Sequence, residues 1–223
     1  MKPLLVIAAA VAALGLSAAA HATTFVFKGD GGLHDIPTGN AATNCGTVGF
    51  DYCTIDHTVG LTYAKDGISV TAKAFANGVA TLLIQDITPD NSGLGAFSEN
   101  DNDNDQTQFS SGESIEFLFN QQVRLSNIEF NAGNDTDCST PGPEGPCGFF
   151  DLFIDNVFFM NIEAIDLLTM EFVGTLFRLT PTTANAGFAI ARFDVEPVPV
   201  PAALPLFLTG VAGFAFARRR KKA

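Results

Sequence analysis

The chain has 223 residues, 47% of them hydrophobic, and its 24 acidic and 12 basic residues give a formal charge of −12. Lys2 and the five cations at 218–222 lie at the two ends, whereas every acidic residue lies between 23 and 197. The central part therefore keeps six of the twelve basic residues and has a formal charge of −18. A body of this charge repels nucleic acid and anionic lipid, so nucleic-acid binding is excluded as its function.

The first 22 residues are typical of a secretory signal peptide. Lys2 supplies a short positive region, and residues 4–16 form an apolar stretch. Ala20 and Ala22 then provide the small-x-small pattern of a cleavage site, which predicts a mature chain that starts near Thr23. An uncleaved first membrane span is the alternative, but the apolar stretch is short for a span and ends in small residues.

Between residues 23 and 197 the sequence is typical of short strands separated by turns. Residues 68–75 alternate apolar with polar or small side chains, the period of a half-buried strand. Asp155-Asn156 separates two apolar runs and predicts a two-residue hairpin turn without the favoured glycine. Helical spacing occurs weakly at 161–172 alone. The remaining predicted strands are 24–27, 59–63, 79–85, 114–119, 123–130 (with a bulge at Ser126-Asn127), 149–154, 157–162, 177–180 and 188–195.

This pattern predicts an all-β fold for residues 23–197, a single domain of about 175 residues. Many short strands with regular turn signals favour one β-sandwich, jelly-roll-like, with about ten strands. A β-barrel closed on itself is the nearest alternative. Phenylalanine is expected to fill most of the core, because the chain has 21 Phe, two Tyr and no Trp.

Four cysteines lie in Gly-, Pro- and Asp-rich stretches. Cys45 and Cys53 are eight residues apart, and Cys138 and Cys147 are nine apart. Four cysteines allow three pairings, of which we favour the two local ones as disulfides formed in an oxidising compartment. Metal ligation is the alternative, but neither pair has CxxC spacing and no histidine stands beside them in a ligand pattern.

Alternate carboxylates at Asp101, Asp103 and Asp105, followed by Glu113, form a candidate Ca²⁺ site. Ca²⁺ takes six to eight oxygen ligands, and alternate side chains of a loop can converge on one ion. The stretch is not an EF-hand, because Gln106 stands where that loop needs glycine and Gly112 where it needs glutamate. A solvated acidic loop without an ion is the alternative. A second acidic loop occupies 131–137.

Catalysis has little support in the sequence, and we predict that the protein is not an enzyme. His34 and His57 each adjoin a carboxylate, but sequence neighbours on a strand point to opposite faces. No nucleophile-elbow, zinc-protease, P-loop or dinucleotide-binding motif is present. Carbohydrate binding stays open, with Tyr52, Tyr63 and any exposed Phe as the stacking candidates.

The C-terminal segment 198–223 has three parts: Val198-Pro199-Val200-Pro201-Ala202, an uncharged apolar stretch to Ala217, and the basic cluster Arg218-Arg219-Arg220-Lys221-Lys222. As a helix, residues 198–217 would reach about 30 Å, the thickness of a hydrocarbon core. The basic cluster would hold its end in the cytoplasm, so that the body faces outward.

This tail resembles the PEP-CTERM sorting signal in its VPLPA variant, with Val200 in place of the consensus leucine. The resemblance implies processing by a membrane-embedded exosortase and delivery to the surface or extracellular matrix of a Gram-negative bacterium. An ordinary membrane anchor that is never cut is the alternative. The body also looks like β-sandwich domains carried by such proteins, in 93–95, 112–117 and 125–130.

These observations together predict an exported surface or matrix protein with a structural or interaction role. The membrane holds it through the C-terminal helix until exosortase cuts the tail. The first alternative is a Ca²⁺-assisted module that binds exopolysaccharide, and the second is a secreted hydrolase. Paired carboxylates for hydrolysis can always be found among 24 acidic residues, so they carry no evidence of their own.

Overall fold

The fold is known from a computed structural model, which describes residues 21–28, 34–38, 43–45, 53–58, 60–87, 93–97, 107–108, 112–132, 136–137, 148–182 and 187–199. These residues form fourteen strands and one four-residue helix, so the described part of the chain is nearly all β. The strands are β1 (Thr23–Val26), β2 (Thr43–Cys45), β3 (Cys53–Thr58), β4 (Gly60–Lys65), β5 (Ile68–Ala76), β6 (Val79–Asp86), β7 (Gly93–Phe97), β8 (Thr107–Gln108), β9 (Glu113–Ala132), β10 (Thr136–Asp137), β11 (Phe149–Ile154), β12 (Val157–Glu163), β13 (Glu171–Pro181) and β14 (Gly187–Pro197), and the helix is α1 (Ala164–Leu167).

The strands hydrogen-bond in the order β1-β14-β7-β6-β5-β9-β13-β11-β12. Because β14 also pairs with β9, the strands β14, β7, β6, β5 and β9 form a closed ring. The short strands attach at its margins, β4 to β5, β3 to β6, β2 to β3, β8 to β14 and β10 to β9. The all-β prediction is confirmed, and ten of the described strands have five residues or more. Closure into a barrel-like arrangement agrees with the barrel alternative, while the jelly-roll assignment stays a prediction.

β9 has 20 residues and joins the parts of the sheet. Its first half pairs with β5 and β13, and its second half pairs with β13 and β14. Ser126 lies opposite Asp194 and Glu129 opposite Arg192, so β9 holds one extra residue between these pairs. Asn127 takes a φ of 49° there and donates a 3.0 Å hydrogen bond to Asp194. The predicted bulge at Ser126-Asn127 is confirmed, and it bends the strand.

The core is built of phenylalanines, as predicted. Ile115, Phe117 and Phe119 are all buried on one face of β9, and the alternate residues of β5 are buried in the predicted period of two. Phe117 packs edge-to-face on Phe193 with ring centroids 5.1 Å apart. A second group packs around Phe150, whose ring lies 4.6 Å from that of Phe188. Pairs of this kind add about 0.5–1.5 kcal/mol each beyond the burial of apolar area.

The hairpin of β11 and β12 has the predicted two-residue turn. Asp155 and Asn156 both have positive φ, 49° and 66°, the signature of a type I′ turn. The Asp155 carboxylate reaches β13, where Oδ1 accepts hydrogen bonds of 2.9 Å from the N–H groups of Thr175 and Leu176. These groups lie at a bulge in the pairing of β13 with β9, so one side chain fixes both the turn and the bulge.

The weak helical spacing at 161–172 predicts the structure of this segment poorly. β12 continues to Glu163, only Ala164–Leu167 is helical, and β13 begins at Glu171, six residues before the predicted strand at 177. Residues 171–174 pair with 126–123 of β9, and this long-range pairing decides their conformation. Tertiary pairing overrides a short local pattern here.

Candidate functional site

Three consecutive apolar residues are exposed on β12, which lies at the end of the strand order. Val157 is 68% exposed, and Phe158 and Phe159 are each 54% exposed. β12 pairs with β11 on one side, and no strand in the described part of the chain pairs with its other side. No charged residue occurs from Val157 to Ile162. We call Val157, Phe158 and Phe159 the apolar edge.

The apolar edge has side chains on both faces of the sheet. Phe158 lies opposite Phe153 of β11, and their rings meet edge-on with centroids 5.7 Å apart. Phe153 lies opposite Arg178, which is on the solvent face of β13. Phe159, displaced by the bulge in the hairpin, packs instead on the buried ring of Phe172 at 5.9 Å. The edge therefore exposes apolar surface on the outer face and on the core side.

The outer face carries a row of side chains in register across five strands. Phe158, Phe153, Arg178, Glu116 and Lys73 are successive cross-strand partners on β12, β11, β13, β9 and β5. We call these five residues the outer row. The Arg178 guanidinium lies 4.3 Å from the centre of the Phe153 ring, a cation–π contact. It makes no ion pair within 4 Å among the residues that the structure describes.

A small polar cluster adjoins the outer row. The Asn161 side-chain amide donates to Asp151 Oδ1 at 2.9 Å, to Thr182 Oγ1 at 3.0 Å and to the carbonyl of Phe150 at 3.2 Å. These bonds fix the orientation of the Asn161 side chain and use Oδ1 of Asp151 as an acceptor. The outer face thus combines aromatic rings, a cation and fixed polar groups.

Tyr63 is not available for stacking on a ligand, contrary to the prediction. Its ring is 1% exposed and packs edge-on against Phe27 at 5.0 Å, while its hydroxyl donates to Gln85 Oε1 at 2.9 Å. Gln85 Nε2 donates in turn to the carbonyls of Phe27 and Asp35. Burial, and then the negative charge of Asp35, raise the pKa of Tyr63 well above its ordinary value. The hydrogen bonds of Tyr63 and Gln85 therefore have a structural role.

His34 and Asp35 make no hydrogen bond to each other in the described part of the protein. Asp35 Oδ2 accepts a 2.8 Å hydrogen bond from the N–H of Val26, and Lys65 Nζ lies 3.1 Å from Asp35 Oδ1. The carboxylate is therefore occupied in attaching residues 34–38 to β1 and β4. His34 Nδ1 is buried without a hydrogen-bond partner in the described part of the protein. The side chain of His57 lies outside the described residues.

The predicted Ca²⁺ ligands are only partly described. Asp101, Asp103 and Asp105 lie outside the described residues, so the site stays a prediction. Glu113 is the first residue of β9, opposite Ala76, and is fully buried. No group of three or more His, Cys, Asp or Glu side chains is placed to hold a metal ion within the described ranges.

The predicted disulfides also stay predictions. The backbones of Cys45 and Cys53 lie directly opposite each other on β2 and β3. Opposed residues of an antiparallel pair have Cα atoms about 4.5–5.5 Å apart, a separation that a disulfide can span. Cys138 and Cys147 lie outside the described residues.

The boundaries of the described β structure adjoin the predicted targeting segments. Thr23, the predicted first residue of the mature chain, begins β1, and Ala22 before it is exposed. β14 ends at Pro197, after which Val198 and Pro199 are in no strand. Ala20 and residues 200–223 lie outside the described residues. Within the described ranges, no helix has the length and apolarity needed to cross a membrane.

Comparison with protein-family models, with curated proteins and with solved structures gives no match to this chain. Sequence reasoning missed the apolar edge because it treated the phenylalanines of 157–162 as core. The one available signal was the absence of charge from Val157 to Ile162, which is equally typical of a buried strand.

Proposed function

We propose that this chain is exported and that its body acts as an interaction module at the surface, or in the extracellular matrix, of a Gram-negative bacterium. The proposal combines the signal peptide 1–22 with the tail 198–223, whose resemblance to PEP-CTERM signals implies an exosortase. The main support for the proposal is that the described β structure lies entirely between the two predicted targeting segments. Its first strand starts at Thr23 and its last strand ends at Pro197, so removal of both segments would leave every described strand whole.

The two junctions of the body with the predicted targeting segments lie on neighbouring strands. β1 and β14 are antiparallel, and Thr23 lies opposite Val195. Removal of both segments would therefore leave the two new chain ends at the same end of one strand pair.

An interaction role is supported by the surface of the body. A body with a formal charge of −18 stays soluble through its charge, yet it exposes three consecutive apolar side chains on an edge strand. Exposed apolar clusters of this kind mark contact surfaces more often than scattered apolar residues do.

The route is tested by changing the motif that distinguishes the tail from an ordinary anchor. We expect a chain carrying Pro199→Ala and Pro201→Ala to accumulate with its tail intact in the inner membrane, because the processing enzyme reads the motif. Pro141→Ala with Pro143→Ala is the matched control and should be released like the natural chain. Immunoblots of inner membrane, outer membrane and medium give the readout. Equal release of both double variants would contradict the proposal.

A second candidate function, Ca²⁺-assisted binding of exopolysaccharide, is favoured by the outer row. Aromatic rings next to a cation and fixed amide and carboxylate groups are suited to the faces and hydroxyls of sugars. We expect retention on the producing organism's polysaccharide to fall on Arg178→Ala and on chelation of Ca²⁺. Arg124→Ala, which removes another half-exposed arginine, is the control. Unchanged retention after both treatments would exclude this candidate.

A further inference from the structure

We propose that two copies of this chain associate through their β12 strands, edge to edge. β12 has an unpaired side among the described strands, and main-chain N–H and C=O groups on such an edge bind another strand readily. Natural edge strands usually carry charges or proline that prevent this, whereas Val157–Ile162 has neither. The inference names the partner for the proposed interaction role, but it does not depend on the route of export.

The two-sided exposure of the apolar edge indicates that its partner is a strand. Phe158 is exposed on the outer face and Phe159 on the core side, so an occupant must cover both faces of β12. A sugar chain stacked on the outer row would cover one face only. A lipid surface is disfavoured by the Asp155 carboxylate at the hairpin tip and by the acidic body. A second β12 covers both faces and also supplies hydrogen-bonding groups.

The sequence of β12 is complementary to itself. In an antiparallel register centred on Phe158, the two copies of Phe158 lie opposite each other on the outer face, and Val157 lies opposite Phe159 of the second copy on the core side. Asn156 lies opposite Met160 and Asp155 lies opposite Asn161, so no like charges face each other. Such a contact is isologous and closes as a two-fold dimer, so it does not propagate into fibres.

The apolar area exposed on β12 determines how strong the dimer is expected to be. With about 150–250 Å² for a whole aromatic side chain, the apolar edge exposes on the order of 300 Å² per copy. Two copies would bury roughly 600 Å² of side chain plus backbone, below the roughly 1,200–2,000 Å² of stable interfaces. We therefore expect a weak dimer, with a Kd in the micromolar range. Screening the repulsion between two acidic bodies with salt should tighten it.

Sedimentation velocity of the full chain in a mild non-ionic detergent tests the inference. The decisive variant is Val157→Lys, and Val79→Lys is its control, because Val79 is 70% exposed on β6, outside the edge. We expect Val157→Lys to weaken the dimer at least about tenfold. Val79→Lys should associate as strongly as the natural chain. Any association through the apolar tail would occur equally in the natural chain and in both variants, so it cannot produce a difference between them. Circular dichroism verifies that each variant is folded.

Hydrogen exchange provides a second readout that needs no substitution. If the dimer forms, the amides of 157–162 become more protected as the concentration of the natural chain rises, while those of 79–84 do not change. A natural chain that stays monomeric at high micromolar concentration and high salt would overturn the proposal. So would a Val157→Lys chain that associates as strongly as Val79→Lys. Polysaccharide binding by a chain that stays monomeric would leave the interaction role standing and refute the dimer alone.

Discussion

At the scale of single residues, Tyr63 shows how a polar group is held inside the phenylalanine core. Its hydroxyl has Gln85 as its acceptor, and Gln85 uses both of its ends, so the buried donors and acceptors are matched. A buried polar group with a partner costs little, whereas the same group without one costs about 1–3 kcal/mol. The network also ties residues 34–38 to the barrel through the carbonyl of Asp35.

Replacing the tyrosine tests this account. Tyr63→Phe keeps the ring and removes the hydroxyl, which leaves Gln85 Oε1 buried without that donor. We expect the free energy of unfolding to fall by about 1–2 kcal/mol, measured by urea denaturation at neutral pH. Thr169→Val is the control: it removes an exposed hydroxyl that donates a 3.2 Å hydrogen bond to the carbonyl of Asp166, where water can replace it, and it should change the stability by less than about 0.5 kcal/mol. A stability unchanged by Tyr63→Phe would contradict the account.

The raised pKa of Tyr63 adds a pH dependence. The folded state keeps the phenol protonated, so this contribution is complete below the unfolded pKa of about 10 and is lost as the pH rises towards the folded pKa. Between these pKa values the natural chain should lose up to about 1.4 kcal/mol of stability per pH unit through Tyr63. Tyr63→Phe lacks this component, so the two profiles should converge above pH 10. Parallel profiles would show that the phenol ionises freely in the folded protein.

At the scale of elements, the hairpin of β11 and β12 was predictable and its exposure was not. The predicted runs 149–154 and 157–162 agree with Phe149–Ile154 and Val157–Glu163, because a two-residue turn fixes the register locally. The position of β12 at the edge depends on the pairing of β11 with β13 and of β13 with β9. These contacts join residues that are distant in sequence, so they cannot be predicted from the local alternation of apolar and polar residues.

The contact of β7 with β14 is a second feature that could not be predicted from the sequence. Gly93 has a φ of 154°, and a Cβ there would lie 2.7 Å from the carbonyl oxygen of Ile190 on β14. The glycine permits β7 to approach β14 and close the ring, but in the sequence it was only one glycine among 21. The candidate Ca²⁺ site and the disulfides are predicted from residue type and spacing alone, and both stay predictions. The apolar edge was found only from the order of the strands.

The turn of the hairpin can be tested by a pair of substitutions at Asn156. Its φ of 66° suits glycine and opposes a β-branched side chain. We expect Asn156→Gly to raise the free energy of unfolding by about 0.5 kcal/mol, since Asp-Gly is favoured in type I′ turns. Asn156→Val should lower it by about 1–3 kcal/mol. Both changes remove the amide, so their difference in urea denaturation isolates the backbone conformation. Equal effects would mean that the turn is not of this type in solution.

At the scale of the whole molecule, the few cations of the body are used mainly to hold neighbouring strands and segments together. Glu129 on β9 accepts from Lys28 Nζ at 2.7 Å and lies 2.6 Å from Arg192 Nε on β14. Lys65 attaches residues 34–38 through Asp35, and Arg124 lies 3.6 Å from Glu171. Four of the six basic residues of the body, Lys28, Lys65, Arg124 and Arg192, are therefore engaged in ion pairs between strands or segments. The uncharged edge of β12 contrasts with these charged parts of the surface.

The proposed route requires that both targeting segments are removed from the body. The intact mass of the native protein, recovered from the envelope and medium of the producing organism, tests this directly. We expect a chain that begins near Thr23 and ends near the Val198–Ala202 motif. A recovered chain that still carries Arg218–Lys222 would contradict processing of the tail, and one that still begins at Met1 would contradict export by a cleaved signal peptide.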